Sequence, residues 1–135
     1  AVEHGTVLLL GGPAPRPAQA LVRWDPAGFA ERELAERVAL GFPPAVAMAS
    51  VQGASGAVGS FLRHLGGVAQ IEILGPVPLP ETGPGPDEEH VRAIARLARD
   101  RGSELTAALI AAAAARSARK EPGPVRVQVD PTDLW

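Results

Sequence analysis

The residues of this chain with the clearest chemical potential are arginines and lysines in its C-terminal third. Eight basic residues lie between His90 and Arg126, against three acids, although the 135-residue chain has a formal net charge of −2. They are Arg92, Arg96, Arg99, Arg101, Arg116, Arg119, Lys120 and Arg126. Such groups can neutralise phosphates or bind an acidic partner. A solvated arginine-rich surface is the alternative, and composition alone does not separate the two readings.

Composition excludes several other classes of protein. The net charge is not that of a globally basic nucleic-acid binder. The chain contains no cysteine, which rules out disulfides and thiolate metal sites and fits a cytoplasmic protein. No apolar run approaches the roughly 18 residues of a membrane span, and nothing resembles a signal peptide. Because 46% of the residues are hydrophobic and only 4% aromatic, we expect a core built from aliphatic side chains.

The sequence offers no set of residues arranged for catalysis. The three histidines, His4, His64 and His90, lack the spacing of metal ligands, so we expect no metal site. Ser55 or Ser60 is not embedded in a GxSxG motif, which argues against a serine hydrolase. The glycines near residue 11 are followed by prolines rather than by GKS or GKT, and therefore do not form a phosphate loop. We predict that this chain is not an enzyme.

A helix with marked ends lies ahead of the basic region. Asp25 can cap free backbone amides, and Pro26 suits the first turn of a helix. Gly41 and the pair Pro43 and Pro44 end it, because proline lacks an amide hydrogen and disfavours a helical conformation in the residue before it. The segment therefore predicts a linker helix between two unequal parts of the chain.

The residues after this helix predict a small mixed domain. Apolar patterning predicts strands at 46–51, 68–74 and 125–129, and helices at 57–65 and 104–117. Gln52 and Gly53 are expected to begin a turn, the proline-rich stretch 75–86 to form a loop, and Ser103 to cap the second helix. An apolar run at 6–10 predicts one further strand. Too few residues surround that strand to bury it, so we interpret the chain as a fragment of a longer protein.

The segment HVRAIARLAR at 90–99 fits both a helix and a strand. As a helix, it places Arg92, Arg96 and Arg99 opposite an apolar face. As a strand, it places four residues on one face: Val91, Ala93, Ala95 and Leu97. Topology favours the strand, since it completes a βαββαβ arrangement with one sheet and its helices on one side. The predicted fold class is therefore α+β.

Several segments in order resemble the C-terminal region of the PriA family of replication-restart proteins (primosomal protein N′). They are ELAERVALGFPP followed by a strand, ILGPVPLP, and VRVQVDP near the end. The segments VRWDPAGFAERELAER and RSARKEPGPVRVQVD resemble in particular the actinobacterial branch. Each motif alone is ordinary turn chemistry, but their order and spacing make the resemblance specific, and it runs nearly end to end.

The resemblance implies a domain organisation. Residues 1–24 would be a remnant of the second helicase lobe, 25–42 a linker helix, and 43–135 a C-terminal domain similar in fold to the ribosomal NusE-type protein. This region would be non-catalytic and hold no cofactor, because ATP and zinc belong to other domains of the longer protein. The resemblance leaves open whether that protein hydrolyses ATP or unwinds DNA.

The resemblance also implies partners. It predicts binding to forked or single-stranded DNA, to the acidic tail of single-stranded DNA-binding protein and to other primosome proteins, at the nucleoid in the cytoplasm. The predicted DNA-binding residues are Arg92, Arg96, Arg116, Arg119, Lys120 and Arg126, and the predicted partner-binding residues are Arg99 and Arg101. Relatives often carry an aromatic residue where this chain has HVRAIAR, so base stacking is not expected there. The alternative is a protein-interaction module without DNA affinity.

Overall fold

The computed structural model of the protein describes Leu10, residues 16–80 and residues 89–131. The chain divides into two compact units, Ala1–Leu40 and Gly41–Trp135. The strand predicted at 6–10 lies outside the described residues except for Leu10, which belongs to no helix or strand.

The described residues of the first unit form a pair of helices, α1 (Arg16–Val22) and α2 (Pro26–Leu40). Asp25 caps α2 as predicted: the backbone N–H of Gly28 donates to its carboxylate at 3.0 Å. This hydrogen bond, with a second from Arg32, holds the pKa of Asp25 below its usual value. The helix ends at Gly41, whose φ of 63° lies in the left-handed region that glycine tolerates.

The second unit is a four-stranded antiparallel sheet with two helices. Its elements in chain order are β1 (Val46–Ala54), α3 (Ser55–Leu65), β2 (Glu72–Pro78), β3 (His90–Ala98), α4 (Gly102–Ala118) and β4 (Val125–Val129), with a 3₁₀ turn at Arg99–Arg101. The strands lie in the order β2-β3-β1-β4. This arrangement confirms the predicted α+β class and the βαββαβ order, and it confirms that the ambiguous segment is a strand.

Three local predictions differ from the structure. The strand predicted at 68–74 lies at Glu72–Pro78, because turns closed by Val68 and Ile71 delay its start. It then continues into the predicted loop through an irregularity between Leu74 and Val77, at the edge of the sheet where a missing proline amide is tolerated. The turn predicted at Gln52 is also wrong, since β1 runs on to Ala54.

The start of α4 likewise differs from the prediction. Ser103 does not cap this helix, because the preceding 3₁₀ turn leads straight into it and the Gly102 N–H donates to the Arg99 carbonyl. The helix therefore begins one residue before its predicted cap.

The core lies between the sheet and the two helices. Along β3, alternate residues are buried against the helices, as the strand reading predicts. The buried core residues are Ala49 and Val51 in β1; Val58, Phe61 and Leu65 in α3; Val91, Ala93, Ala95 and Leu97 in β3; and Leu105, Leu109 and Ala112 in α4. Apart from Phe61 they are aliphatic, as the composition predicts.

A buried arginine joins the helices to the start of β4. Arg116, in the last turn of α4, is only 6% exposed. Its guanidinium donates to the carbonyls of Ala57, Pro122 and Gly123 at 3.0, 2.9 and 2.9 Å. It also pairs with the Glu121 carboxylate at 3.0 Å. We call this set of contacts the Arg116 clamp, and it fixes the turn between α4 and β4 against α3.

Glu121 is held from several sides within the clamp. It accepts a hydrogen bond from the Ser60 hydroxyl, and its other oxygen lies 3.5 Å from His64 Nε2. The Ser60 hydrogen bond is the largest influence lowering the pKa of Glu121, burial opposes it, and His64 and Arg116 add to the lowering. The ionised carboxylate is therefore the form that the folded domain favours.

Replacing Arg116 with alanine should destabilise the domain strongly. The change leaves Glu121 and three carbonyls without their donor, and breaking a buried pair in this way costs about 3–5 kcal/mol. Urea unfolding followed by circular dichroism measures the loss. Arg119→Ala is the matched control, because Arg119 is 68% exposed and its removal should change stability by less than about 0.5 kcal/mol. Equal losses in the two variants would contradict the clamp.

The contribution of Glu121 should depend on pH. Because its folded-state pKa lies below the ordinary value of 4.5, the carboxylate stabilises the fold above that pH, and this stabilisation is lost as the pH falls through the folded-state pKa. The difference in unfolding free energy between the wild type and Glu121→Gln should therefore be largest near neutral pH and shrink in acid. Ser60→Ala should reproduce part of this effect. A difference that stays constant from about pH 7 to about pH 3 would refute the assignment.

Candidate nucleic-acid interface

The sheet surface opposite α3 and α4, which we call the open face, carries two of the predicted arginines. Arg92 and Arg96 alternate with the buried residues of β3 and therefore point away from the core. Pairing places Gln52 of β1 beside Arg92, and Arg126 of β4 beside Gln52. Among the strand residues that the structure describes, none on this face is Phe, Tyr or Trp, and the exposed His90 at the start of β3 is its one aromatic ring. The described strands of this face therefore offer mainly charge and hydrogen bonds, and little for base stacking.

Arg92, Gln52 and Arg126 form a row across three neighbouring strands. At the usual spacing between strands, the Cα atoms of the two arginines are about 10 Å apart. The Gln52 carboxamide is assigned with its oxygen toward Arg92, and it then accepts hydrogen bonds from Arg92 Nε and Nη2 at 2.9 and 3.1 Å. Within the described part of the chain, the exposed Arg126 has no hydrogen-bond or ion-pair partner. We call these three residues the arginine row.

Arg96 occupies a different electrostatic setting on the same face. Its Nε and Nη2 bind both oxygens of Glu72 at 2.7 and 2.9 Å, and its Nη1 donates to the Gly41 carbonyl at 3.2 Å. The hydrogen bond with Glu72 raises the pKa of Arg96, and the same bond lowers the pKa of Glu72. The carboxylate of Glu72 therefore offsets the guanidinium charge of Arg96.

The basic residues at the end of α4 separate into two kinds. Arg119 and Lys120 are exposed, and Arg119 lies 3.9 Å from Glu121. Arg116, which the sequence placed with them, is buried in the clamp with four acceptors around its guanidinium. Arg116 is therefore not part of the exposed basic surface, because a buried and fully engaged guanidinium cannot meet an external phosphate.

Arg99 and Arg101 lie in the 3₁₀ turn that follows β3, at the end of the strand that is farther from Arg92. Arg99 donates to the Pro44 carbonyl and lines a groove of about 500 Å³, whose apolar wall includes Pro43, Leu105 and Val129. Arg101 instead binds both oxygens of Glu104 at 2.9 and 2.7 Å, and this hydrogen bonding raises its pKa. Arg101 also donates to the Ala69 carbonyl at 3.0 Å. Of the two predicted partner-binding arginines, only Arg99 is placed beside the groove.

The described residues contain no group of histidine, aspartate and glutamate side chains that is able to hold a metal ion. None of the described helices combines the length and apolar character needed to cross a membrane.

Gln52 is a residue that the sequence assigned to a turn rather than to a binding surface. Its relation to Arg92 and Arg126 depends on the pairing of β1 with strands about 40 and about 70 residues further along the chain. The alternation in β1 and β3 could have indicated which face of the sheet Gln52 and Arg92 occupy. The register that places them side by side is visible only in the structure.

Comparison with known proteins identifies similar sequences along nearly the whole chain. Residues 38–132 match the family described as the primosomal protein N C-terminal domain, PriA_C. A probable replication restart protein PriA of Mycobacterium leprae is 36% identical over 137 residues, covering 98% of this chain and 21% of the relative. The proteins of the same description from Mycobacterium tuberculosis H37Rv and Mycobacterium bovis are each 38% identical over 128 residues, covering 86% of this chain and 20% of the relative. The chain thus spans about a fifth of the length of these relatives.

Proposed function

The chain belongs to the primosomal protein N C-terminal domain family of replication restart proteins, and from this premise we propose that it binds DNA and docks a partner protein without catalysing a reaction. The observation that carries the DNA part of this proposal is the arginine row, because it combines the half-buried Arg92 and the exposed Arg126 on one surface of the sheet. Arg119 and Lys120 supplement this charge beside the start of β4.

The proposed contact is with the sugar-phosphate backbone of DNA. Guanidinium groups bind phosphate oxygens well, and phosphate contacts position a protein without reading sequence. The described strands of the open face carry no Phe, Tyr or Trp for stacking, so contact with bases is not its main source of affinity. A surface of this kind suits forked or single-stranded DNA recognised by shape rather than by sequence. Arg96 belongs to the same face, with its charge offset by Glu72.

The groove beside Arg99 supports the docking of a protein. We propose that it takes the acidic tail of single-stranded DNA-binding protein, with Arg99 facing the acidic groups and the apolar wall facing hydrophobic side chains of the tail. Because this groove and the arginine row use different residues, docking does not require DNA affinity. A protein-interaction module without DNA binding is therefore the rival function.

The names of the relatives support a proposal for the longer protein of which we infer this chain to be the C-terminal part. They are named probable replication restart proteins, and we propose that the parent of this chain acts in the same process, in the cytoplasm at the nucleoid, with other primosome proteins. ATP and zinc would then bind to domains outside this chain.

Removing the charge of the arginine row should weaken DNA binding. For Arg92→Ala/Arg126→Ala, we expect the affinity for a labelled fork to fall at least tenfold at low salt. The slope of log K against log salt should become shallower by about 1.8, because each lost phosphate contact removes about 0.9. Fluorescence anisotropy across a salt series measures both quantities.

A double variant of equal charge change controls this measurement. Arg16→Ala/Arg37→Ala removes two charges from ion pairs on exposed helices and should leave the slope unchanged. Arg119→Ala/Lys120→Ala tests the supplementary contribution and should have a smaller effect than the arginine row. Fork binding that is unaltered in Arg92→Ala/Arg126→Ala would remove the open face from the proposal. No fork binding by the wild type would favour the rival function.

Reversing the charge of Arg99 should impair binding of the acidic tail. For Arg99→Glu, we expect a peptide with the tail sequence of single-stranded DNA-binding protein to bind at least tenfold more weakly, because like charges then face each other in the groove. Isothermal titration calorimetry provides the measurement. Arg101→Glu is the control, since Arg101 binds Glu104 away from the groove. If Arg101→Glu abolishes binding and Arg99→Glu does not, the groove is not the docking site.

A further inference from the structure

The two edge strands of the sheet, β2 and β4, differ in how well they could accept a further strand. An edge strand exposes backbone N–H and C=O groups that can pair with another chain, and prolines or irregular pairing often prevent this. Strand β2 is protected in this way, since it contains Pro76 and Pro78 and its pairing shifts between Leu74 and Val77. Strand β4 contains no proline and no lysine, and it pairs with β1 without a shift. The outer edge of β4 is therefore the one suited to strand addition.

The hydrogen bonds between β4 and β1 determine which backbone groups of β4 point outward. Opposite residues of an antiparallel ladder alternate between pairs that exchange hydrogen bonds and pairs that do not. The N–H of Asp130 donates to the Met48 carbonyl at 2.8 Å, and the register makes these two residues opposite. By this alternation, Gln128 and Arg126 also bond to β1. The residues whose N–H and C=O groups point away from β1 are Val125, Val127 and Val129.

This pattern fits a second copy of the same strand. When β4 lies antiparallel to its copy with Val127 opposite Val127, Val125 lies opposite Val129, and each of these three pairs exchanges two hydrogen bonds. Arg126 then lies opposite Gln128 of the second copy, so like charges do not face each other directly. The two Arg126 residues are diagonal neighbours about 7–8 Å apart, where salt screens part of their repulsion. Pairing also covers Val129, which is 47% exposed.

Other registers of the same pairing are less favourable. A shift by two residues in one direction places Arg126 directly opposite Arg126 of the second copy, which is destabilising. The opposite shift places Arg126 against Asp130, whose φ of 47° lies in the left-handed region rather than the extended one. Each of these shifts also leaves only two of the three hydrogen-bonded pairs. The charges and the backbone groups of β4 thus favour one register, centred on Val127.

From this complementarity we infer that β4 is a self-association surface, at which two copies of the domain join their sheets edge to edge around a two-fold axis at Val127. A two-fold pair is closed, because each copy uses its β4 edge and offers no further one for a third copy. Since five residues on each side bury less than a standard interface, the association is weak, with a dissociation constant on the order of 0.1 mM. The inference goes beyond the proposed function and does not depend on DNA binding.

Substitutions of Gln128 test this surface by the sign of their effect. Gln128→Glu places a carboxylate opposite Arg126 of the second copy, and two such pairs form by symmetry. We expect the dissociation constant to fall about fivefold, whereas Gln128→Lys should raise it by a similar factor. The chain already has a net charge of −2, so a general charge effect would make Gln128→Glu weaken the association instead. Sedimentation equilibrium of the 135-residue chain without DNA, up to about 1 mM, measures the constants.

The matched control removes the opposing charge. In an Arg126→Gln background, Gln128→Glu should no longer tighten the association and Gln128→Lys should no longer weaken it. A wild-type chain that stays monomeric at about 1 mM would overturn the inference. Tightening by Gln128→Glu that persists without Arg126 would also overturn it, because the two residues would then not be opposite each other.

Hydrogen exchange identifies the edge that is used. The N–H groups of Val127 and Val129 should become protected as the protein concentration rises, whereas the N–H of Gln128, which bonds to β1, should be protected at every concentration. Val129→Pro removes an outward N–H without removing a bond to β1, and it should weaken the association. Equal protection of the outward groups at all concentrations would show that the chain itself covers this edge, and would refute the inference. Thermal unfolding by circular dichroism shows whether each variant keeps its fold.

Discussion

Strand β3 pairs with β1 and β2 at once, and its period-two alternation constrains both faces of the sheet. Val91 and its alternate neighbours fill the core, while Arg92 and Arg96 face the other way. A shift of one residue would bury both arginines and expose the apolar set. Burying an unpaired charge is far costlier than any gain from a different register. The hydrophobic core therefore fixes where the charges of the open face lie.

The Arg116 clamp determines the position of β4, the other strand that carries an arginine of the open face. Its guanidinium binds the carbonyl of Gly123, two residues before β4 begins, and the carbonyl of Ala57 in α3. The position at which β4 enters the sheet is thus tied to the helix layer. Since Arg126 is the second residue of β4, its place beside Gln52 depends on contacts made on the other side of the sheet. The buried Arg116 therefore helps to fix the position of the exposed Arg126.

The sequence predicted the elements with strong local signals and missed features that depend on distant pairing. Asp25 and Gly41 mark the ends of α2 through their own conformations, and both were identified correctly. The strand identity of β3 required the topology, because its residues fit either periodicity. The bounds of β2 depend on a turn around Gln70 and on prolines that are tolerated at a sheet edge. Composition alone predicts a loop for this proline-containing segment. The place of Gln52 between Arg92 and Arg126 depends only on the register of three strands.

The basic residues show why a count of charges overstates a binding surface. Arg116 is surrounded by acceptors and stabilises the fold, whereas Arg96 has most of its charge offset by Glu72. Arg92 donates to the Gln52 carboxamide as one of its contacts. The net field on the open face therefore depends on the partners of the arginines as well as on their number, because a carboxylate at hydrogen-bond distance offsets the charge of a guanidinium. A count of basic residues gives only an upper limit on the positive charge that such a surface presents.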